Sequence, residues 1–167
     1  MLDPGQLMSE LVHLLRCVAW SVGNHEFDWG IEPFLAALQK SKMPVLAANT
    51  LLEGKPAGQF GDGRHPFAKV APFILKEMAG IKIAIIGLTT PGMPYWFRPQ
   101  FIAGHEFQNP VESVRRSIAQ TKSLGTNAIV PAGHMGLKER TGGGDLANQG
   151  MALTAEIPED AVCHRGD

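Results

Sequence analysis

Apolar residues recur at three- and four-residue intervals in four stretches of the chain, and cluster into short runs between them. In "DPGQLMSELVHLL", Leu7, Leu11, Leu14 and Leu15 share one face, which predicts an amphipathic helix with Pro4 near its first turn. "IEPFLAALQKSK" puts Ile31, Phe34, Leu35 and Leu38 on one side and predicts a second helix. "PVESVRRSIAQTKSLG" predicts a third: Asn109 can cap it, Pro110 suits its first position and Gly125 follows its end. "LANQGMALTAEI" predicts a last helix. The runs "CVAWSV", "MPVLAANT" and "NAIVPAG" read as buried strands, and "PFILKEMAGIKIAIIGLTT" as two strands hinged at Ala79-Gly80. Residues 51–66, rich in Gly and Pro, read as an exposed loop. "PGMPYWFRPQFIAGHEFQN" reads as irregular and "HMGLKERTGGGD" as the loop leaving "NAIVPAG". Strand, loop, helix and strand repeated in this way predict an α/β layered fold.

Bulk composition narrows the class without naming a chemistry. The chain has 167 residues, enough for one compact domain with a real core. Lys plus Arg total 15 against 16 for Asp plus Glu, so there is no basic footprint for nucleic acid and no polybasic face. No apolar run approaches the roughly 20 residues needed to cross a bilayer. The first residues carry acids and no basic region, unlike a signal peptide. The two cysteines, Cys17 and Cys163, lie far apart and read as small buried hydrophobes rather than a disulfide or metal pair.

The chemistry concentrates in "SVGNHEFDWG", a loop predicted at the carboxyl end of a strand, where α/β folds gather function. A carboxamide oxygen and an imidazole nitrogen both bind divalent ions, so Asn24 and His25 are candidate ligands. His25 would face away from Asn24 on an extended backbone and toward a substrate. Asp28, three residues on, could take a hydrogen bond from its ring, fixing the tautomer and stabilising the cation. The plainer alternative is that Asn24 caps a turn and His25 is a surface histidine. His134, in "PAGHMG", falls at another strand end.

These residues resemble a known family. "GNHEFDWG" is similar to the Asn-His-Glu block of the calcineurin-like metallophosphoesterases, and "EFDWG" resembles their 5′-nucleotidase and 2′,3′-cyclic-nucleotide phosphodiesterase branch. The likeness runs on in order through "PVLAANT", "GIKIAIIGLTTP", "EFQNPVESVRRSI" and "NAIVPAGHMG". It implies a layered metallophosphoesterase-type β-sandwich flanked by helices. It further implies hydrolysis of phosphoric esters, with nucleotides as substrates, by a centre of two divalent ions; zinc, manganese, magnesium and iron are not distinguished. Asn24 and His134 would be ligands of one ion, His25 the catalytic histidine and Asp28 its partner. A periplasmic or extracellular location would follow from the same likeness.

The sequence also departs from the family pattern. An Asp-x-His block and a Gly-Asp block should precede "GNHE", and neither stands before Ser21. Gly61-Asp62-Gly63 comes too late and reads as a turn. The closing Gly-His-x-His has only His164, in "EDAVCHRGD", as a candidate. Residues 1–167 are therefore expected to form a partial phosphoesterase domain, incomplete at its N-terminus. Without a bridging carboxylate a divalent charge is poorly compensated, so an inert domain that binds an anion or a partner is the alternative expectation. A Rossmann-type nucleotide module, prompted by "IAIIGLTTPG", lacks the Gly-x-Gly-x-x-Gly run. Among the remaining residues, His13 reads as solvated, His65 and His105 as loop histidines without partners, and Trp29, Trp96 and Phe97 as packing. Met135 reads as a gap filler, Asn49 as a turn residue and the terminal Arg-Gly-Asp as a chance tripeptide.

Overall fold

The computed structural model describes residues 10–56, 59, 65–137, 149–156 and 164–166. Among these residues, ten strands fall into three sheets. The first is parallel: β1 (Trp20–Ser21), β2 (Val45–Leu46) and β5 (Val70–Ala71) lie side by side, Ser21 opposite Leu46 and Leu46 opposite Ala71. The second has the order β10 (His164–Gly166), β9 (Ala128–His134), β7 (Ile81–Thr89), β6 (Phe73–Met78). In this sheet the β6–β7 pair is antiparallel, and it closes as the expected hairpin through Ala79 and Gly80, at φ 52° and 77°. The third sheet, β4 (Lys55–Pro56), β3 (Thr50–Leu52) and β8 (His105–Phe107), is antiparallel.

Two helices carry most of the covering. α1 (Ile31–Lys40) buries Phe34 and Leu38 against Val22, Val45, Val70 and Phe67. Two shorter helical pieces follow the second sheet's long strand: α2 (Met93–Trp96), and a 3-10 turn at Pro99–Ile102. α3 (Pro110–Ser123) begins as its sequence predicts, with Asn109 Oδ1 accepting from the Val111 and Glu112 amides. Its Val111, Val114 and Ile118 cover Ala84, Ile86 and Ile129 of the second sheet, together with Leu153 of α4 (Gly150–Glu156). The first two sheets meet at Gly87, where Leu46 packs against bare backbone and the Ala48 amide donates to Gly87 O.

Several expectations need correction. Residues 51–66 are not simply an exposed loop: Leu51 and Leu52 are buried in β3, which turns through Glu53 and Gly54, both at positive φ, into β4. Alternation over so few residues is easily masked by surrounding Gly and Pro. The irregular segment after residue 90 contains β8, so His105 is a buried strand residue and not a loop histidine. "CVAWSV" forms a strand only at Trp20–Ser21, and Cys17 is exposed rather than buried. Trp29 and Trp96 are exposed, whereas Phe97 does pack against the core. Residues 10–14 are helical, and Leu11, Leu14 and Leu15 are exposed among the described residues. Leu7, the 61–63 turn and Cys163 lie outside the described residues. No helix among the described residues is long and apolar enough to cross a membrane.

Candidate active site

The site forms where β1, β7 and β9 end together. Thr89, the last residue of β7, lies opposite His134, the last residue of β9. Thr89 Oγ1 donates to Val22 O at 2.9 Å, and Ser21 Oγ donates to Ala132 O at 2.8 Å, so side-chain bonds tie the end of β1 to both neighbours. Asn49 makes this corner rigid. Fully buried, it accepts from the Thr89 amide at 2.8 Å and donates to Thr89 O at 2.7 Å and Gln108 O at 3.0 Å. It stands in the turn expected of it and also braces the strand ends, and only tertiary pairing could reveal the brace.

Beyond Val22 the chain tightens into a 3-10 turn at His25–Phe27. Glu26 holds its entrance: one carboxylate oxygen accepts from the Gly23 amide at 2.9 Å and the other from Trp20 Nε1 at 3.0 Å. Phe27 is driven inward, ringed by Phe34, Phe97, His105 and Phe107 at centroid distances of 5.0 to 6.4 Å. In a 3-10 turn residues three apart eclipse one another, so anchoring Phe27 leaves His25 and Asp28 together on the outer face. His25 Nδ1 lies 2.8 Å from Asp28 Oδ2. A carboxylate can only accept, so Nδ1 carries the proton and Nε2 is turned away from Asp28, available to a substrate. His25 and Asp28 are 74% and 41% exposed, so water screens the pair; it orients a ring and adds little stability.

Asn24 is half-buried at the N-cap position of the turn, and its side chain makes no capping bond there. Gly23 packs directly on His134: a Cβ there would lie 2.9 Å from His134 Cγ and 3.0 Å from Cδ2. The His25 and His134 rings stand 6.2 Å apart, nearly perpendicular. Asn24, His25, Asp28 and His134 thus share one corner of the molecule. Gly23→Ala is expected to displace the His134 ring, costing about 1 kcal/mol in a urea melt and shifting the His134 imidazole resonances while the Asn109 cap is untouched.

As metal donors these residues are few. No three His, Cys, Asp or Glu side chains converge among the described residues. Asn24 and His134 bring one carboxamide and one imidazole, both neutral, which suits part of one ion's shell. A second ion with a bridging carboxylate does not fit the described residues. The backbone of His164 pairs with β9 opposite Ala132, two residues before His134. Sequence reasoning missed Gly23, Glu26 and Thr89 as builders of the corner. Glu26 alone had a signal, its place in "GNHE".

No protein-family model matches the chain. It is 33% identical over 134 residues to a snake venom 5′-nucleotidase of Naja atra, an alignment covering 78% of this chain and 24% of that protein. The 5′-nucleotidase precursor of Thermus thermophilus shares the fold at a TM-score of 0.66 and 30% identity, over 79% of this chain and 24% of its own. A calcineurin-like phosphoesterase of Bacillus subtilis matches 97% of this chain and 46% of its own at a TM-score of 0.69; at 21% identity it speaks for the fold alone. The chain spans about a quarter of the length of the curated relatives it matches. In sequence the chain is similar to 5′-nucleotidases, and in fold to a 5′-nucleotidase precursor and to a calcineurin-like phosphoesterase.

Proposed function

We propose that residues 1–167 are part of one phosphoesterase domain that works in the metal-dependent hydrolysis of phosphoric esters, with nucleotides as substrates. The observation that carries the reading is the 2.8 Å pair of His25 and Asp28, held beside His134 on an outward-facing turn. Asn24 and His134 would hold one divalent ion, which when bound supplies positive charge against the phosphoryl oxygens. His25, its Nδ1 proton fixed on Asp28, presents Nε2 to the ester. In its charged form that nitrogen can give a proton to the leaving oxygen, and Asp28 stabilises the cation. Glu26 and Phe27 keep the pair in register by locking the turn from inside. A venom protein among the relatives supports a location outside the cytoplasm.

A second reading has one observation in its favour: the described residues offer no carboxylate cluster for a metal. On that reading the domain binds an anion or a partner and turns nothing over. One assay separates the two. Release of phosphate from a nucleoside 5′-monophosphate with added Mn²⁺ or Zn²⁺ is expected to fall about 100-fold or more in His25→Ala and in Asp28→Asn. Both variants should unfold in urea within about 1 kcal/mol of the parent, because the pair is exposed. No phosphate release with any divalent ion would reject the hydrolase reading for this chain and leave binding, measured by calorimetry with the same nucleotide.

A further inference from the structure

We infer that His105 is a positioning residue for the His25–Asp28 turn, acting through Phe27 and only as a neutral ring. His105 sits on β8, 8% exposed, with its ring nearly perpendicular to Phe27 at 5.6 Å and to Phe67 at 5.3 Å. Its Nδ1 lies 3.0 Å from Ala103 O; a carbonyl only accepts, so Nδ1 carries the proton. Nε2 has no hydrogen-bond partner among the described residues. The neutral ring therefore behaves as one of four aromatic walls around Phe27, beside Phe34, Phe97 and Phe107. A proton on Nε2 would place an N–H and a charge where no acceptor stands. Attraction to the neighbouring rings offsets only part of that loss.

The charged groups on the surrounding elements do not rescue the cation. They are Glu106 on β8, Glu53 beside β3, Glu26 and Asp28 at the turn, and His65 and Lys69 around the 3-10 helix Pro66–Lys69. Burial is the largest influence on His105 and holds it below its ordinary value near 6.5; the bond to Ala103 opposes this, and His65 adds to it. A lowered folded value means that the unfolded chain takes the proton first. The stabilisation is complete above pH 6.5 and is lost as the pH falls from there through the folded value. Phe27 then loses one wall, and the turn that aligns His25 with Asp28 loosens.

The structural claim stands without any activity; only its consequence for catalysis rests on the function proposed above. The test is an NMR titration of the ¹⁵N-labelled chain from about pH 7.5 to about pH 5, a window centred on histidine. It follows the amides of Gly23 and Phe27 and the Trp20 indole N–H that Glu26 holds. The expected result is a step below pH 6.5 that accompanies the His105 Cε1–H titration and is absent in His105→Phe. Identical titrations in parent and variant would overturn the inference. Should His105→Phe fail to fold, the parent alone decides: a His105 midpoint that differs from the Phe27 amide step overturns it, and coincidence supports it.

Discussion

Phe27→Ala is expected to lower stability by about 3–5 kcal/mol, read as a fall in the urea midpoint with little change in slope. The side chain is fully buried and enclosed by Phe34, Phe97, His105 and Phe107, rings contributed by α1, by the chain just after α2 and by β8. Those walls belong to separate elements that are held by other contacts, so they cannot collapse together into the space left by a lost ring. The cavity should therefore persist, and its cost adds to the lost transfer energy. The damage should also reach the surface. His25 and Asp28 share an outer face because Phe27 is pinned inside, so the His25 Nδ1 proton should exchange faster in the variant than in the parent. A variant that loses less than about 1 kcal/mol would show that the aromatic cluster is not packed as described.

Gly87→Ala is expected to destabilise by about 3 kcal/mol, the upper end of what overpacking costs. A Cβ at this position would lie 2.3 Å from Leu46 Cβ and 2.6 Å from the Leu46 carbonyl carbon and oxygen. Backbone cannot rotate aside as a side chain can, and Leu46 is held by β1 on one side and β5 on the other. The two sheets would have to separate, which also strains the Ala48 amide bond to Gly87 O. Leu46→Ala should not rescue the variant, because alanine keeps the Cβ and the carbonyl. Rescue of the urea midpoint by that second change would show that side-chain bulk, and not the close approach of backbone, limits this contact. The contrast with Gly23→Ala is informative: there the obstacle is a histidine ring, which can move, so the stability loss should be smaller while the site suffers more.

Elements whose reasons are local were legible in the chain. α3 was readable because its cap, its first-turn proline and its apolar face lie within sixteen letters, and the β6–β7 hairpin because an Ala-Gly turn joins two long apolar runs. β3 and β8 were not, since each is three residues long and they pair with one another from distant parts of the chain. The candidate site divided in the same way. His25 and Asp28 could be paired on paper because they are three residues apart. Asn49 and His105 could not be interpreted, because what they touch lies 40 and 78 positions away, at Thr89 and Phe27.

The sequence by itself determined an α/β chain and the polar cluster from Asn24 to Asp28, both written in spacing over short distances, and it carries a family resemblance in motifs from Gly23 to Gly136. The tertiary structure alone decided that His134 stands against Gly23, that Asn49 braces the strand ends and that His105 walls in Phe27. The physical reason is that hydrophobic periodicity specifies which face of an element is buried but not what it is buried against. Partners far apart in the chain are chosen by packing and by the need to satisfy buried polar groups, and only the folded arrangement shows which were chosen.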